Sequence, residues 1–306
     1  MIRGKRNGAS GAINKRVGHA RPVLSNLKEG HVLPMPQTLL VTTMMQQASG
    51  RLNEFRAGEY MHVSDLVGRC ARRIAISRIT GQPIVGERVY DSNEITYAIG
   101  NAIHDFVRTR LAASAGENLY GQWTCLCGHL ESVGTYREYC HSVCDRCMTP
   151  QRQYKELVIR NDDLMLTASP DAAFQIDNAL YLAEIKSTTE NRMDSLERPF
   201  PDHVIQILLY WYLMRQAQYS LYDRVSILYV RKEHRFKTPY KEFTIIPSQN
   251  IQRLDDYLTD ARAVAAARDT GRLPARVLCP TPHSPVAKKC QFCALCFGVQ
   301  NDTIHR

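Results

Sequence analysis

The chain has 306 residues, of which 44% are hydrophobic and 23% charged. These are ordinary globular proportions and exclude a collagen, a coiled coil or disorder throughout. A chain this long buries about 75% of its unfolded surface, so it needs no disulfide staples and its ten cysteines call for another explanation. The net charge is +9, and residues 1–22 carry Arg3, Lys5, Arg6, Lys15, Arg16 and Arg21 with no acid. That arm predicts a disordered, polyanion-binding tail. The longest apolar run, Ile207 to Met214, is far short of a membrane span. No apolar segment marks a secretory signal at the N-terminus, so a cytoplasmic protein is expected.

In chain order, a helix is expected from Thr38 to Phe55. A second runs from a cap at Ser64 and Asp65 to a stop at Gly81, with Leu66, Cys70 and Ile74 on its inner face. A third, from Glu94 to Ala113, has the apolar stripe Ile95, Ile99, Ala102, Ile103, Phe106 and Val107, predicted to face the core. Residues 121–150 read as a small cysteine-rich insert. The period then changes to strand-like alternation over 151–187, with Asp177-Asn178 as a hairpin turn. An apolar helix follows from Asp202 to Gln218, then strands at Val225–Val230 and Glu242–Ile246. Ser248 is the expected cap of a last helix that stops at Gly271, and a Pro-rich loop leads to the final cysteines.

The central hairpin carries the informative chemistry. With a two-residue turn at Asp177-Asn178, Asp171 lies directly opposite Glu184, Cβ atoms about 5 Å apart. Lys186 shares that face, and Ile185 points to the core. Two facing carboxylates repel unless a cation lies between them, and a divalent metal with oxygen ligands answers that need. Pro170 adjoins the end of this pairing. Gln206 and Tyr210 are one turn apart on an otherwise apolar helix, where the amide must be hydrogen-bonded or cost roughly 1–3 kcal/mol.

Asp171, Glu184-Ile185-Lys186 and Gln206-Ile207-Leu208-Leu209-Tyr210 together resemble the PD-(D/E)xK nuclease superfamily, in its RecB-like branch. Gly100-Asn101-Ala102-Ile103-His104 resembles the branch's upstream metal-binding histidine, the glycine leaving room beside the imidazole. The resemblance spans about residues 64 to 296. It implies an α/β restriction-endonuclease-like core, a mixed sheet flanked by helices. His104, Asp171, Glu184 and the Ile185 position would hold Mg²⁺ or Mn²⁺. The catalytic residues would be Asp171, Glu184 and Lys186, with Gln206 and Tyr210 positioning the lysine or the DNA. Glu156 would be a supporting acid.

The cysteines fall into two sets. Cys125, Cys127, Cys144 and Cys147 form two close pairs separated by sixteen residues and read as a zinc ribbon, with Cys140, His129 and His141 as substitutes or bystanders. Cys70 before the core and Cys290, Cys293 and Cys296 after it resemble the iron–sulfur RecB-like nucleases, including AddB-type helicase-nucleases and CRISPR adaptation nucleases, which hold a [4Fe–4S] cluster. That family's terminal spacing is C-x₂-C-x₅-C. Here Cys293 falls inside the x₅ interval and Cys279 stands upstream of Cys290 with ten residues between them. Four of Cys70, Cys279, Cys290, Cys293 and Cys296 would therefore bind, and zinc is the alternative metal.

The expected function is a DNA exonuclease of replication, recombination or repair, of phage or mobile-element type or a subunit of a larger machine. DNA is the expected partner, met by Lys5, Arg6, Lys15, Arg16, Arg69, Arg72 and Arg73. The alternatives are a non-catalytic DNA-binding scaffold on the same fold and a CRISPR-type end-processing nuclease.

Overall fold

The computed structural model describes residues 60–298, apart from 69, 83, 85–90, 115–116, 130, 140, 151–152 and 233–238, together with residue 304. The basic arm with Lys5, Arg6, Lys15 and Arg16, the helix expected at Thr38–Phe55, Arg69 and Cys140 lie outside the described residues. The strands are β1 (Met61–His62), β2 (Leu119–Thr124), β3 (Glu131–Thr135), β4 (Gln153–Lys155), β5 (Ile159–Asn161), β6 (Leu166–Ala168), β7 (Ala172–Ile176), β8 (Ala179–Thr188), β9 (Leu221–Arg231) and β10 (Tyr240–Ile245). The helices are α1 (Val63–Gly68), α2 (Ala71–Thr80), α3 (Asp91–Ser114), α4 (Tyr136–Tyr139), α5 (Glu190–Asp194), α6 (Pro201–Gln216), α7 (Asp255–Thr270), α8 (Pro285–Lys288) and α9 (Cys293–Gly298). None of the described helices is long and apolar enough to cross a membrane.

The main sheet has the order β10-β9-β8-β7-β2-β3, with β4 also paired to β2. β7 and β8 are antiparallel, β8 and β9 parallel, β9 and β10 antiparallel. Helices α5 and α6 make the crossover between the parallel pair. This is the mixed, helix-flanked sheet of a restriction-endonuclease-like core. A smaller sheet, β1-β6-β5, adjoins it.

The hairpin has the register expected from its turn. Ala172 pairs with Ala183 and Ile176 with Ala179. Asp177 and Asn178 both take positive φ, 45° and 75°, as a two-residue primed turn requires. Strand alternation then sorts β8 between two cores. Leu180 and Leu182 join the larger core with β9, α6 and α7, whereas Ala183 joins a smaller one with Leu119, Trp123, Ala172 and Leu111 of α3. Helix α6 is buried nearly all round, Val204 to Tyr210 without interruption, as its apolar sequence demands.

Three expectations are corrected. The helix expected from Ser64 to Gly81 is two helices: Cys70 is extended (φ −73°, ψ 118°) and precedes α2, and Gly81 ends α2 in the left-handed region at φ 69°. Cys70 is thus released from the helical face assigned to it. Ser248 does not cap the last helix. It lies in a 3₁₀ turn that starts at Pro247, its side chain bonded to Asp223, and α7 begins at Asp255 with two acids in its first turn. Of the apolar stripe of α3, Ile99, Ala102 and Phe106 are exposed, the first and last by 42% and 60%, while Ile103 and Val107 are half-buried and the Ile95 side chain lies outside the described residues. The inward residues are Gly100, His104, Arg108 and Leu111, spaced by one helical turn.

Candidate active site and metal centres

The site forms where β7 stops and β8 continues. Extending the hairpin register would set Ile185 opposite Pro170, which has no N–H to give a ladder. The pairing ends at Ala172–Ala183 instead. The Asp171 carboxylate takes the place of the missing strand, its Oδ2 accepting the Ile185 N–H at 2.7 Å. Its other oxygen lies 3.2 Å from His104 Nδ1, on α3.

Gly100 sets that helix at its distance. A Cβ there would stand 3.1 Å from Ser187 Oγ, so the glycine admits β8. The room it leaves is for Ser187 and not for the imidazole, as had been expected.

Glu184 and Lys186 project from the opposite face of β8, toward α6. Lys186 Nζ donates to Glu184 Oε1 at 2.7 Å and to Gln206 Oε1 at 2.9 Å. Gln206 Nε2 donates in turn to the Tyr210 hydroxyl at 2.7 Å. The polar pair on the apolar helix is thereby satisfied within one chain of hydrogen bonds. Ile185 itself is fully buried.

The electrostatics show a buried carboxyl with one unsatisfied oxygen. Asp171 and Glu184 are both buried, and Glu184 Oε2 has no hydrogen-bond partner. Burial first, and the Asp171 charge second, push the Glu184 carboxyl up to about 8, against the opposing pull of Lys186. An orphaned buried carboxylate oxygen beside a second carboxylate and an imidazole is a donor set that fits a hard divalent cation. The set is more open than the thiol group described below, which alone among the described residues closes to within 4.8 Å.

Two neighbours were not anticipated. Arg108, one turn after His104, bonds Glu156 and reaches Asp105 at 2.6 Å. Glu156 lies just after β4 and is pushed up chiefly by burial and then by Asp171. His203, one turn before Gln206, lies 2.7 Å from the Tyr229 hydroxyl. Burial and then the nearby Lys186 charge push its imidazole down to about 4, so it is neutral. The i, i+4 and i, i−3 spacings from His104 and Gln206 were the available signals for these two.

Cys125, Cys127, Cys144 and Cys147 converge, with Sγ separations of 3.5 Å (Cys125–Cys127) and 3.6 Å (Cys127–Cys144). A Zn–S bond of about 2.3 Å sets tetrahedral sulfurs about 3.8 Å apart, so these four thiols fit one metal ion. His129 is turned to Asp145 at 3.6 Å, and His141 is exposed outside the group.

The other five described cysteines, Cys70, Cys279, Cys290, Cys293 and Cys296, all line a single cavity of about 350 Å³ between α2 and the C-terminal segment. They do not close to the spacing of the ribbon thiols. Arg72, expected on DNA, is corrected here. It is 1% exposed, and its guanidinium donates to Pro274 O at 2.7 Å, to Cys296 Sγ at 3.0 Å and to Cys296 O at 3.2 Å. A guanidinium so enclosed cannot reach a backbone phosphate. Arg73 also lines the cavity, with Nη2 3.5 Å from Gln291 Oε1.

No family model and no curated protein matches the chain. Solved structures do match. An alkaline exonuclease, LHK-Exo, from Laribacter hongkongensis is 11% identical, with 73% of this chain and 92% of that one covered and a TM-score of 0.40. LHK-Exo in complex with dAMP is 12% identical, with 74% and 92% covered and a TM-score of 0.39.

Proposed function

We propose that the chain is a metal-dependent DNA nuclease of the RecB-like, iron–sulfur kind, acting as an exonuclease in replication, recombination or repair. The observation that carries this reading is the continuous set from His104 through Asp171 and Ile185 to Glu184, Lys186, Gln206 and Tyr210. His104, Asp171 and Glu184 would hold Mg²⁺ or Mn²⁺, which when bound lowers the pKa of a water and neutralises charge on the phosphate. Asp171 is fixed by the Ile185 amide, so its other oxygen, beside His104, is presented in one orientation. Lys186, held by Glu184 and Gln206, sets a cation where charge develops as water adds to phosphorus and the ester oxygen leaves. Gln206 and Tyr210 position that amine through the helix. An intact acid–acid–lysine set favours this reading over a DNA-binding scaffold that has lost catalysis.

The two cysteine sets support different metals. The ribbon thiols have zinc spacing. The wider ring of five around a 350 Å³ cavity suits a polynuclear iron–sulfur cluster joined to Cys70 across the chain. The deciding experiment incubates end-labelled single- and double-stranded DNA with the protein and Mg²⁺ or Mn²⁺, on linear and circular substrates. Release of mononucleotides from linear DNA alone is expected. Absence of any cleavage by protein with its full metal content refutes the reading.

A further inference from the structure

His203 stands beside the lysine of the candidate site and takes no part in holding either the metal or the amine. Lys186 and Tyr229 are register partners on the parallel strands β8 and β9, so their side chains leave the same face of the sheet. Helix α6 meets both. Gln206 accepts from the Lys186 amine at 2.9 Å, and His203, one turn earlier, lies 2.7 Å from the Tyr229 hydroxyl. The imidazole is thereby held one strand over from the amine.

Its hydrogen bonds fix its tautomer. Tyr229 is fully buried, and its hydroxyl oxygen accepts the Phe200 N–H at 3.0 Å. The phenol proton must in turn reach an acceptor or be stranded. Among the described residues His203 Nδ1 is the acceptor at hand, so Nδ1 carries no proton and Nε2 does. Phe200 packs edge-on against the imidazole, ring centroids 5.5 Å apart, and keeps its plane. His203 is half-buried, and its Nε2 has no protein partner among the described residues and is not enclosed, so that N–H is open to solvent.

The ring is also neutral. It lies in the first turn of α6, where the helix dipole disfavours a cation, and burial and then the Lys186 charge push it down to about 4. A neutral imidazole pinned in this tautomer offers an N–H. It cannot ligate a cation through Nε2, and it does not repel the amine beside it. It is suited to an oxygen of an anion that Lys186 already attracts.

We propose that His203 is a further catalytic residue of this site, its Nε2–H donating to a phosphate oxygen of the bound strand next to the oxygen met by Lys186. No proton is transferred. The bond strengthens as charge grows on the phosphate in the transition state. The proposal rests on the nuclease reading for its effect on rate, whereas the tautomer and the phosphate contact are measured without cleavage.

Two measurements on the full chain test it. The first follows the ¹⁵N-labelled imidazole by NMR, without added Mg²⁺ or Mn²⁺, as a short DNA oligonucleotide is titrated in. His203 is expected in the Nε2–H tautomer in wild type and as a mixture in Tyr229→Phe. Its Nε2 resonance is expected to move with the oligonucleotide and not with deoxynucleosides that lack phosphate. The second is single-turnover cleavage by folded variants. His203→Ala is expected to slow it about 100-fold, as does loss of one donor aimed at developing charge. His203→Gln, whose amide sets an N–H near the Nε2 position, is expected to recover most of that loss, and His203→Phe, which keeps only the ring, none of it. An Nδ1–H tautomer in wild type, an Nε2 resonance unmoved by the oligonucleotide, or cleavage at the wild-type rate by His203→Ala or His203→Phe would overturn the proposal. A resonance moved by DNA with no cleavage by metal-loaded wild type would instead refute the nuclease reading and leave the phosphate contact standing.

Discussion

The backbone N–H of Ile185 donates to Asp171 Oδ2 at 2.7 Å, so the residue beside one buried carboxylate fixes the orientation of the other. Glu184 and Asp171 are thus coupled through a rigid strand and not through flexible side chains.

That coupling predicts how removal of each group behaves. Asp171→Ala, Glu184→Ala and Lys186→Ala should each lower DNA cleavage at least 100-fold. Glu184→Ala should also lower the melting temperature, because it leaves the half-buried Lys186 amine without its carboxylate partner. Circular dichroism together with end-labelled DNA cleavage checks both. Wild-type activity in any of the three purified variants refutes their roles.

Gln206 stands between Lys186 Nζ and the Tyr210 hydroxyl. Gln206→Leu should cost about 1–3 kcal/mol of stability, because it strands the buried Tyr210 hydroxyl and takes one of two partners from Lys186. It should also slow cleavage more than Tyr210→Phe, which removes one neutral contact at the far end. Urea unfolding and single-turnover rates separate the two effects.

The raised Glu184 carboxyl gives a pH signature. Its ordinary value is 4.5, and burial followed by the Asp171 charge moves it to about 8. Between those values the folded protein holds a proton that the unfolded chain releases. Stability should therefore fall as pH rises from about 5 to 8, by up to about 1.4 kcal/mol per pH unit. Glu184→Gln should flatten the slope, and so should Mn²⁺, which competes for the deprotonated oxygen. Thermal melts between pH 5 and 9 measure it, and an unchanged slope in Glu184→Gln would assign the effect elsewhere.

Metal analysis should separate the two cysteine sets. Anaerobic preparation is expected to give a brown protein with iron and sulfide and about one zinc per chain. Cys125→Ala should lose zinc alone, and Cys290→Ala should lose iron and destabilise the C-terminal segment. Two zincs and no iron would leave the ribbon and refute the cluster.

Salt dependence distinguishes the arginines. Each phosphate neutralised on duplex DNA contributes about 0.9 to the slope of log K against log salt. Deleting residues 1–22 should flatten that slope by several units and leave the cleaved bond unchanged. Arg72→Ala should leave the slope as it is while lowering the melting temperature, since its guanidinium serves Pro274 and Cys296.

What was legible in the sequence was local. Asp177-Asn178 fixed the hairpin register because two residues at positive φ admit few turns, and the register then set the faces of Glu184 and Lys186. The packing of α3 was not legible. Periodicity reports where apolar residues cluster, not which face meets the sheet, and here the inward face is the one bearing Gly100, His104 and Arg108. The break at Cys70 carries no Pro or Gly at the residue itself. The start of α7 was misjudged because a serine after proline resembles a cap, while Asp255-Asp256 in the true first turn was the better sign. Arg72 reads as surface charge until the distant carbonyls it serves are known.

Strand β2 links two regions along six residues, paired also with β3 over Tyr120–Thr124 and with β4 over Gln122–Thr124. Leu119 and Tyr120 pair with Phe174 and Ala173 of the β7–β8 hairpin, and Cys125 of the thiol group follows its last residue, Thr124. The two centres are therefore joined by one stiff lever about 20 Å long at strand rise. If the four thiols hold a metal, its loss would remove the anchor just past Thr124, leave the β3 and β4 pairings as the restraint on that end, and loosen the hairpin that presents Asp171. A chelator acting only on the insert would then dull cleavage from a distance, without touching any group that meets the phosphate.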